Sequence, residues 1–319
     1  MSTASTTSPL PAASSRYQDI AFKWVAGFAA AMIIVLIVFV GWELYAGSRM
    51  SLAKFGAGFL WSSEWDPVSD KYGALPFIFG TLVSSAIALL IAVPLGVATA
   101  LFLTELAPLR IRQPIVMAIE MLAAVPSVIF GLWGIFVLIP WLRDHLFVWL
   151  KRSLGFLPLF QGPIYGVSML AAGIIIAIMI LPIVTSISRE ILRSVPILQR
   201  EAAYALGATR WEVLRIAVLS YARRGLFGAA VLGLGRALGE TMAVTMVIGN
   251  RPDISASLFA PGYTLASVIA NEFTEATTDT YLSSLYELGL VLLLVTILVN
   301  AAAQIMLKSM TGGGPVKVS

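Results

Sequence analysis

Arg236 and Glu240 stand four residues apart in Gly233-Leu234-Gly235-Arg236-Ala237-Leu238-Gly239-Glu240-Thr241-Met242-Ala243-Val244, whose other side chains are small or apolar. That spacing puts both on one face of a helix. A charge at membrane depth costs about 2.5–3.5 kcal/mol on insertion scales, so it usually faces a pathway or a partner. Two roles suit the pair. In the first, the planar guanidinium of Arg236 offers a donor fork to phosphate oxygens, and Glu240 holds the fork or takes a proton from a protonated anion. In the second, the two charges neutralise each other and fix helix packing, with Gly235 and Gly239 allowing close approach. The glycines are not a dinucleotide fingerprint, because no strand precedes them. Two further residues join the candidate substrate pathway. Glu120 lines the path, pairs with Arg236 or snorkels to the membrane edge. Ser127, beside Pro126, offers a hydroxyl or backbone N–H to an oxyanion, or simply packs.

A second candidate is a polar island, residues 189–224, with seven arginines against three glutamates. Ser194 and Pro196 read as the N-cap and first turn of a helix. It runs through Ala205 and stops at Gly207, suited to the left-handed position after a helix. Thr209 and Glu212 fit a capping box that opens a second helix. Small side chains at Ala202 and Ala203 let the first helix enter a groove on another protein, with Tyr204 and Leu206 as anchors. The alternative is a pair of interfacial helices whose arginines face lipid head groups.

The elements that position these residues follow from composition. The chain has 319 residues, of which 59% are hydrophobic and 12% charged. Soluble domains carry about 25% charged residues, so this chain falls in the membrane class. The absence of cysteine excludes disulfides and thiolate metal sites, and the single histidine, His145, leaves no zinc motif. Nothing points to nucleic acid. Six apolar runs read as transmembrane helices, at residues 24–45, 75–103, 113–139, 164–187, 225–249 and 282–306. Pro126 predicts a break within the third. Residues 141–162 read as an outer loop along the interface.

The organisation expected is a disordered cytoplasmic tail at 1–22, a first transmembrane helix at 23–46 and an extracytoplasmic loop at 47–72. A core of five transmembrane helices follows at 73–307, with a further tail at 308–319. With both ends on one side, thirteen basic residues fall on that side and seven on the other. The positive-inside rule therefore puts the termini and the island in the cytoplasm. No Gly-x-x-x-x-Gly-Lys-Ser/Thr run exists, so a P-loop is absent and any ATPase is another subunit.

The island resembles the EAA motif of bacterial binding-protein-dependent ABC importer permeases through Glu201-Ala202-Ala203, Gly207 and Leu219, although Ser220 stands where a proline is usual. Glu201–Tyr221, Gly233–Asn250 and Val125–Leu132 together are similar to the phosphate-transport permeases of that family. The resemblance implies an all-α polytopic fold of the type I ABC importer class. It implies that Glu201, Ala202, Ala203, Tyr204, Leu206 and Gly207 couple to an ATPase dimer, which carries the ATP and Mg²⁺. It also implies a second, related permease subunit, an extracytoplasmic phosphate-binding protein and a place in the bacterial plasma membrane. Sulfate or molybdate as cargo, an intramembrane enzyme using Glu120 and Glu240, or a non-transport scaffold are the alternatives.

Overall fold

The computed structural model describes residues 14–309, with side chains from residue 19. Among these the only β-pairing is a single bridge between Asp66 and Lys71. Six helices are long and apolar enough to cross a membrane: Asp19–Phe55, Leu75–Leu106, Ser127–Leu154, Met169–Arg193, Arg210–Leu238 and Asp279–Ser309. In lipid a helix satisfies its backbone hydrogen bonds within the segment, which is why long apolar runs settle this way.

Four boundaries differ from expectation. The first helix begins by Ser14 and runs to Phe55, so residues 14–22 and 47–55 are helical rather than tail or loop. The rest of the expected N-terminal tail, and residues 310–319, lie outside the described residues. Polar side chains such as Glu43, Arg49 and Ser51 do not stop a helix. Gly56 does, at a φ of 55°. The third span breaks at 124–126, as Pro126 predicts, between helices Leu109–Ala123 and Ser127–Trp133. Beyond Trp133 the chain stays helical, with wider π-type turns, as far as Leu154. Residues 141–154 therefore extend the span instead of looping along the interface. The fifth span ends at Leu238, and a separate helix, Met242–Val247, follows it.

The fourth span is the centre of the bundle, with Ile175, Ile176, Ile180 and Val184 buried. Lipid supplies no hydrophobic drive between helices, so close contact has to come from small residues. An added Cβ at Gly96 of the second span would lie 2.9 Å from Val184 Cγ1, and one at Gly233 of the fifth would lie 3.0 Å from Val184 Cγ2. Gly173 of the fourth span admits Ile87 in the same way.

The C-terminal end of the first span and the N-terminal end of the last meet through hydroxyls. The Ser51 N–H donates to Ser283 Oγ at 3.0 Å, and the Ser283 hydroxyl donates to the Gly47 carbonyl at 2.7 Å. Ser51 and Ser284 hydroxyls lie 3.2 Å apart. Gly47 sits against the Tyr286 ring, and Glu287 is buried one turn further on. The apolar N-terminal part of the first span stands exposed along its length. At the same end of the bundle as the hydroxyls, Glu272 accepts from Trp65 Nε1 at 2.8 Å and from the Tyr281 hydroxyl at 2.7 Å, tying the loop between the first two spans to the last span.

Gly80 tests the packing. A Cβ there would lie 2.0 Å from the backbone oxygen of Tyr263. Gly80→Ala is expected to lower the melting temperature of the detergent-solubilised protein, since overpacking costs about 1–3 kcal/mol. Gly228, with no atom within 4 Å of its added Cβ, is the control: Gly228→Ala should leave the melting temperature unchanged or raise it.

Candidate functional site

The two broken spans meet. An added Cβ on Gly131 would lie 3.2 Å from the Ala243 Cα and 2.5 Å from Met246 Sδ, and one on Gly134 would lie 3.0 Å from Val247 Cγ1. The helices beginning at Ser127 and Met242 therefore pack side by side and run in the same direction. Pro126 and Thr241 stand at their N-caps, and neither supplies a side-chain cap. A helix N-terminus carries unpaired N–H groups and partial positive charge. The structure thus brings two uncapped N-termini to one region of the bundle.

Their depth can be read from the fourth span, Met169–Arg193. Ala123 lines the same cavity as Pro182 and Ile183, near that helix's midpoint. Gly233 packs on Val184 and Ile180, and Arg236 is one turn further along. The break before Ser127 and the Arg236 backbone thus both lie near the level of the fourth span's midpoint. Arg236 is exposed on the fifth span. Glu240 is 9% exposed and falls in the 239–241 break, with its N–H donating to the Ala237 carbonyl at 3.4 Å. The two residues do not share a helix face, because the helix ends at Leu238 between them. None of the described ion pairs involves either residue. The neutralising pair is therefore not formed here, and the guanidinium fork is open.

Glu120 lies elsewhere. Its carboxylate is 3.3 Å from Arg189 Nη2, not paired with Arg236. Helix Leu109–Ala123 packs along the C-terminal half of the fourth span, which presents Arg189 and not the fifth span's arginine. Arg189 is nearly buried and also reaches Glu190, at 3.5 Å. In the sequence it is indistinguishable from the other arginines of the island.

In the island, the first helix is Ile197–Ala205. Ser194 does not cap its start. It is the C-cap of the fourth span, its hydroxyl donating to the Ile191 carbonyl at 2.8 Å, and Pro196 takes the N-cap position. Two helices this close compete for one serine, and the longer one holds it. Gly207 adopts a φ of 83°, the left-handed turn that glycine tolerates. Thr209 and Glu212 form the capping box: the Thr209 N–H donates to Glu212 Oε2 at 2.8 Å, and the Glu212 N–H to Thr209 Oγ1 at 3.4 Å. Glu201, Ala202, Tyr204 and Leu206 are exposed, Leu206 by 89%, while Ala203 is half-buried. The helix therefore presents a small-residue and apolar face outward.

One residue of this region carried no signal in the sequence. Glu105, in the last turn of the second span, has its carboxylate 2.9 Å from Arg200 Nη2 and its carbonyl 2.7 Å from Arg210 Nη2. The three are brought together across about a hundred positions of chain, which no local spacing shows.

Residues 92–312 match the family model described as "Binding-protein-dependent transport system inner membrane component". The phosphate transport system permease protein PstC of Mesorhizobium japonicum is 50% identical over 293 residues, covering 91% of this chain and 90% of that one. The protein of the same name from Haemophilus influenzae is 45% identical, over 91% and 93% of the two chains. A probable phosphate transport system permease protein PstC of Methanocaldococcus jannaschii is 36% identical, over 88% and 90%. Among solved structures, a chain of a bacterial ABC transporter involved in the import of alginate aligns with a TM-score of 0.57 at 17% identity, covering 93% of this chain and 99% of that one. The six apolar helices thus follow the type I ABC importer permease fold, and the chain belongs to the family of inner-membrane components of binding-protein-dependent transport systems.

Proposed function

We propose that this chain is a permease subunit of an ATP-driven phosphate importer, supplying half of the translocation pathway. The observation that carries the reading is the exposed guanidinium of Arg236, free of any ion pair among the described residues and within an apolar span, in a chain 50% identical to a phosphate permease. Such a group suits an oxyanion passing through a medium where its charge is otherwise costly. Arg236 offers the planar fork, and Ser127 lies at the start of one of the two helices. Glu240, buried at the break, takes up a proton as a protonated phosphate passes. Glu120 stays with Arg189, on the cytoplasmic side of this region.

As part of a binding-protein-dependent transport system, the chain works with an ATPase and a substrate-binding protein. In the finer reading, two ATPase subunits bind ATP and Mg²⁺ and seat against Glu201, Ala202, Ala203, Tyr204, Leu206 and Gly207. A second, related permease completes the pathway, and an extracytoplasmic phosphate-binding protein loads it. Both termini face the cytoplasm of a bacterial cell. The chain itself performs no hydrolysis and holds no cofactor. Closure of the ATPases tilts the helices between inward-open and outward-open arrangements.

Arg236→Gln removes the guanidinium and its charge and leaves a shorter, neutral amide. Uptake of radiolabelled phosphate into proteoliposomes should fall by about a hundredfold, the loss of a charge-assisted contact of 2–3 kcal/mol, with the complex still assembled. Unchanged uptake would remove Arg236 from the pathway.

Gly207→Asp addresses the coupling surface. The added Cβ meets no atom within 4 Å, so the permease itself should fold, with modest strain from the left-handed turn. The ATPase should no longer co-purify, and phosphate-stimulated ATP turnover should be lost. Normal co-purification with normal turnover would refute docking at this turn.

A further inference from the structure

The cytoplasmic loop is held to the spans by two different kinds of contact. Its second half is anchored by apolar packing: Leu214, Val218 and Ala222 are buried in one cluster with Ala100 of the second span and Leu192 of the fourth. Its first half, helix Ile197–Ala205, has no buried residue at all. Apolar packing reaches only as far as Val195, just before the helix, so polar contacts hold the helix itself, and Arg200 supplies them. The Nη2 nitrogen of Arg200 lies 2.9 Å from Glu105 Oε1 and donates to the Leu192 carbonyl, also at 2.9 Å. One guanidinium thus joins the loop helix to the cytoplasmic ends of both the second and the fourth span. Arg210, beyond the Gly207 turn, donates to the Glu105 carbonyl at 2.7 Å. The two arginines straddle the turn and converge on one residue.

Helix electrostatics favours the arrangement. A carboxylate at a helix C-terminus faces the negative end of the macrodipole, and two adjacent guanidinium groups offset it. The Arg200 and Glu105 side chains are only 25% and 15% exposed, so water screens the pair weakly. The partner-facing side of the same helix carries Glu201, Ala202 and Leu206, all exposed. One face is thus free for docking while the other is bonded to the membrane spans.

We propose that the Arg200–Glu105 pair is the strut through which displacement of helix Ile197–Ala205 reaches the second and fourth spans. Both are positioning residues: neither touches cargo nor nucleotide, and both act by fixing how far the spans move when the helix is pushed. The inference rests on the reading of that helix as the ATPase seat. Without the strut, the helix would rock between Pro196 and the Gly207 turn while the spans stayed in place. ATP would be spent and phosphate would not cross.

The test is the ratio of phosphate transported to ATP hydrolysed, measured in the same proteoliposomes with the assembled complex. Glu105→Gln and Arg200→Gln should leave ATPase co-purification and ATP hydrolysis near wild type while the ratio falls by about tenfold, a size reached by mutations along a coupling network. The double charge swap, Glu105→Arg with Arg200→Glu, should recover about fivefold over Glu105→Arg alone, as interacting neighbours do. An unchanged ratio in Glu105→Gln, or a swap no better than the single variant, overturns the proposal. So does loss of ATPase binding in Glu105→Gln, which would make the residue part of the seat instead. Should Glu105→Gln fail to fold, Arg200→Gln reads the same ratio: it removes the one nitrogen that reaches both Glu105 and the Leu192 carbonyl, and a wild-type ratio there equally overturns the strut. Failure of the underlying reading looks different, because the unmodified chain would then not co-purify with an ATPase.

Discussion

Hydrocarbon offers no partner to a free N–H or C=O, and most of this architecture follows from where the chain tolerates such groups. Two spans are interrupted, one at Pro126 and one at Gly239–Thr241, and each interruption releases backbone donors. The released ends are gathered where the helices after the breaks pack against each other, through Gly131 and Ala243. The unbroken fourth span supplies the wall beside them. Glycine at the crossing points brings the second and fifth helices close enough to that wall to exclude lipid. The polar interior is thus a consequence of broken helices held together by unbroken ones.

The charges obey the same constraint. One arginine, Arg236, lies within an apolar span, whereas seven cluster in the polar stretch 189–224. There, arginines do more than orient the protein in its membrane. Arg189 ties the Leu109–Ala123 helix to the fourth span, and Arg200 and Arg210 tie the loop to the second. Guanidinium groups suit this work because each offers several donors in a plane and reaches a carboxylate and a carbonyl together.

Most of the fold was legible in the sequence because hydropathy and breaker residues act locally. The six spans, the Pro126 break, the Gly207 turn and the Thr209–Glu212 capping box all depend on neighbours within a few positions. Where two local rules competed, the reading failed. Ser194 fits an N-cap by type, yet the fourth span claims it as a C-cap. Charged residues between 141 and 154 suggested a loop, yet they are adequate helix formers and nothing breaks the helix before Gly155. Gly239 was read as a packing residue, whereas it opens a gap that separates Arg236 from Glu240. The pairings Glu120–Arg189 and Glu105–Arg200 lay beyond local rules altogether, since each joins segments far apart in the chain.

The seam between the first and last spans bears on how the molecule is made. A chain emerges N-terminus first, so the first helix enters the bilayer long before its main packing partner exists. The Ser51 N–H and hydroxyl and the Gly47 carbonyl then wait until Ser283 and Ser284 arrive. Four intervening spans are threaded meanwhile. The first helix is therefore a late joiner despite its early synthesis. The seam closes the bundle only when translation is complete, so a product that stops short of the sixth span cannot close it.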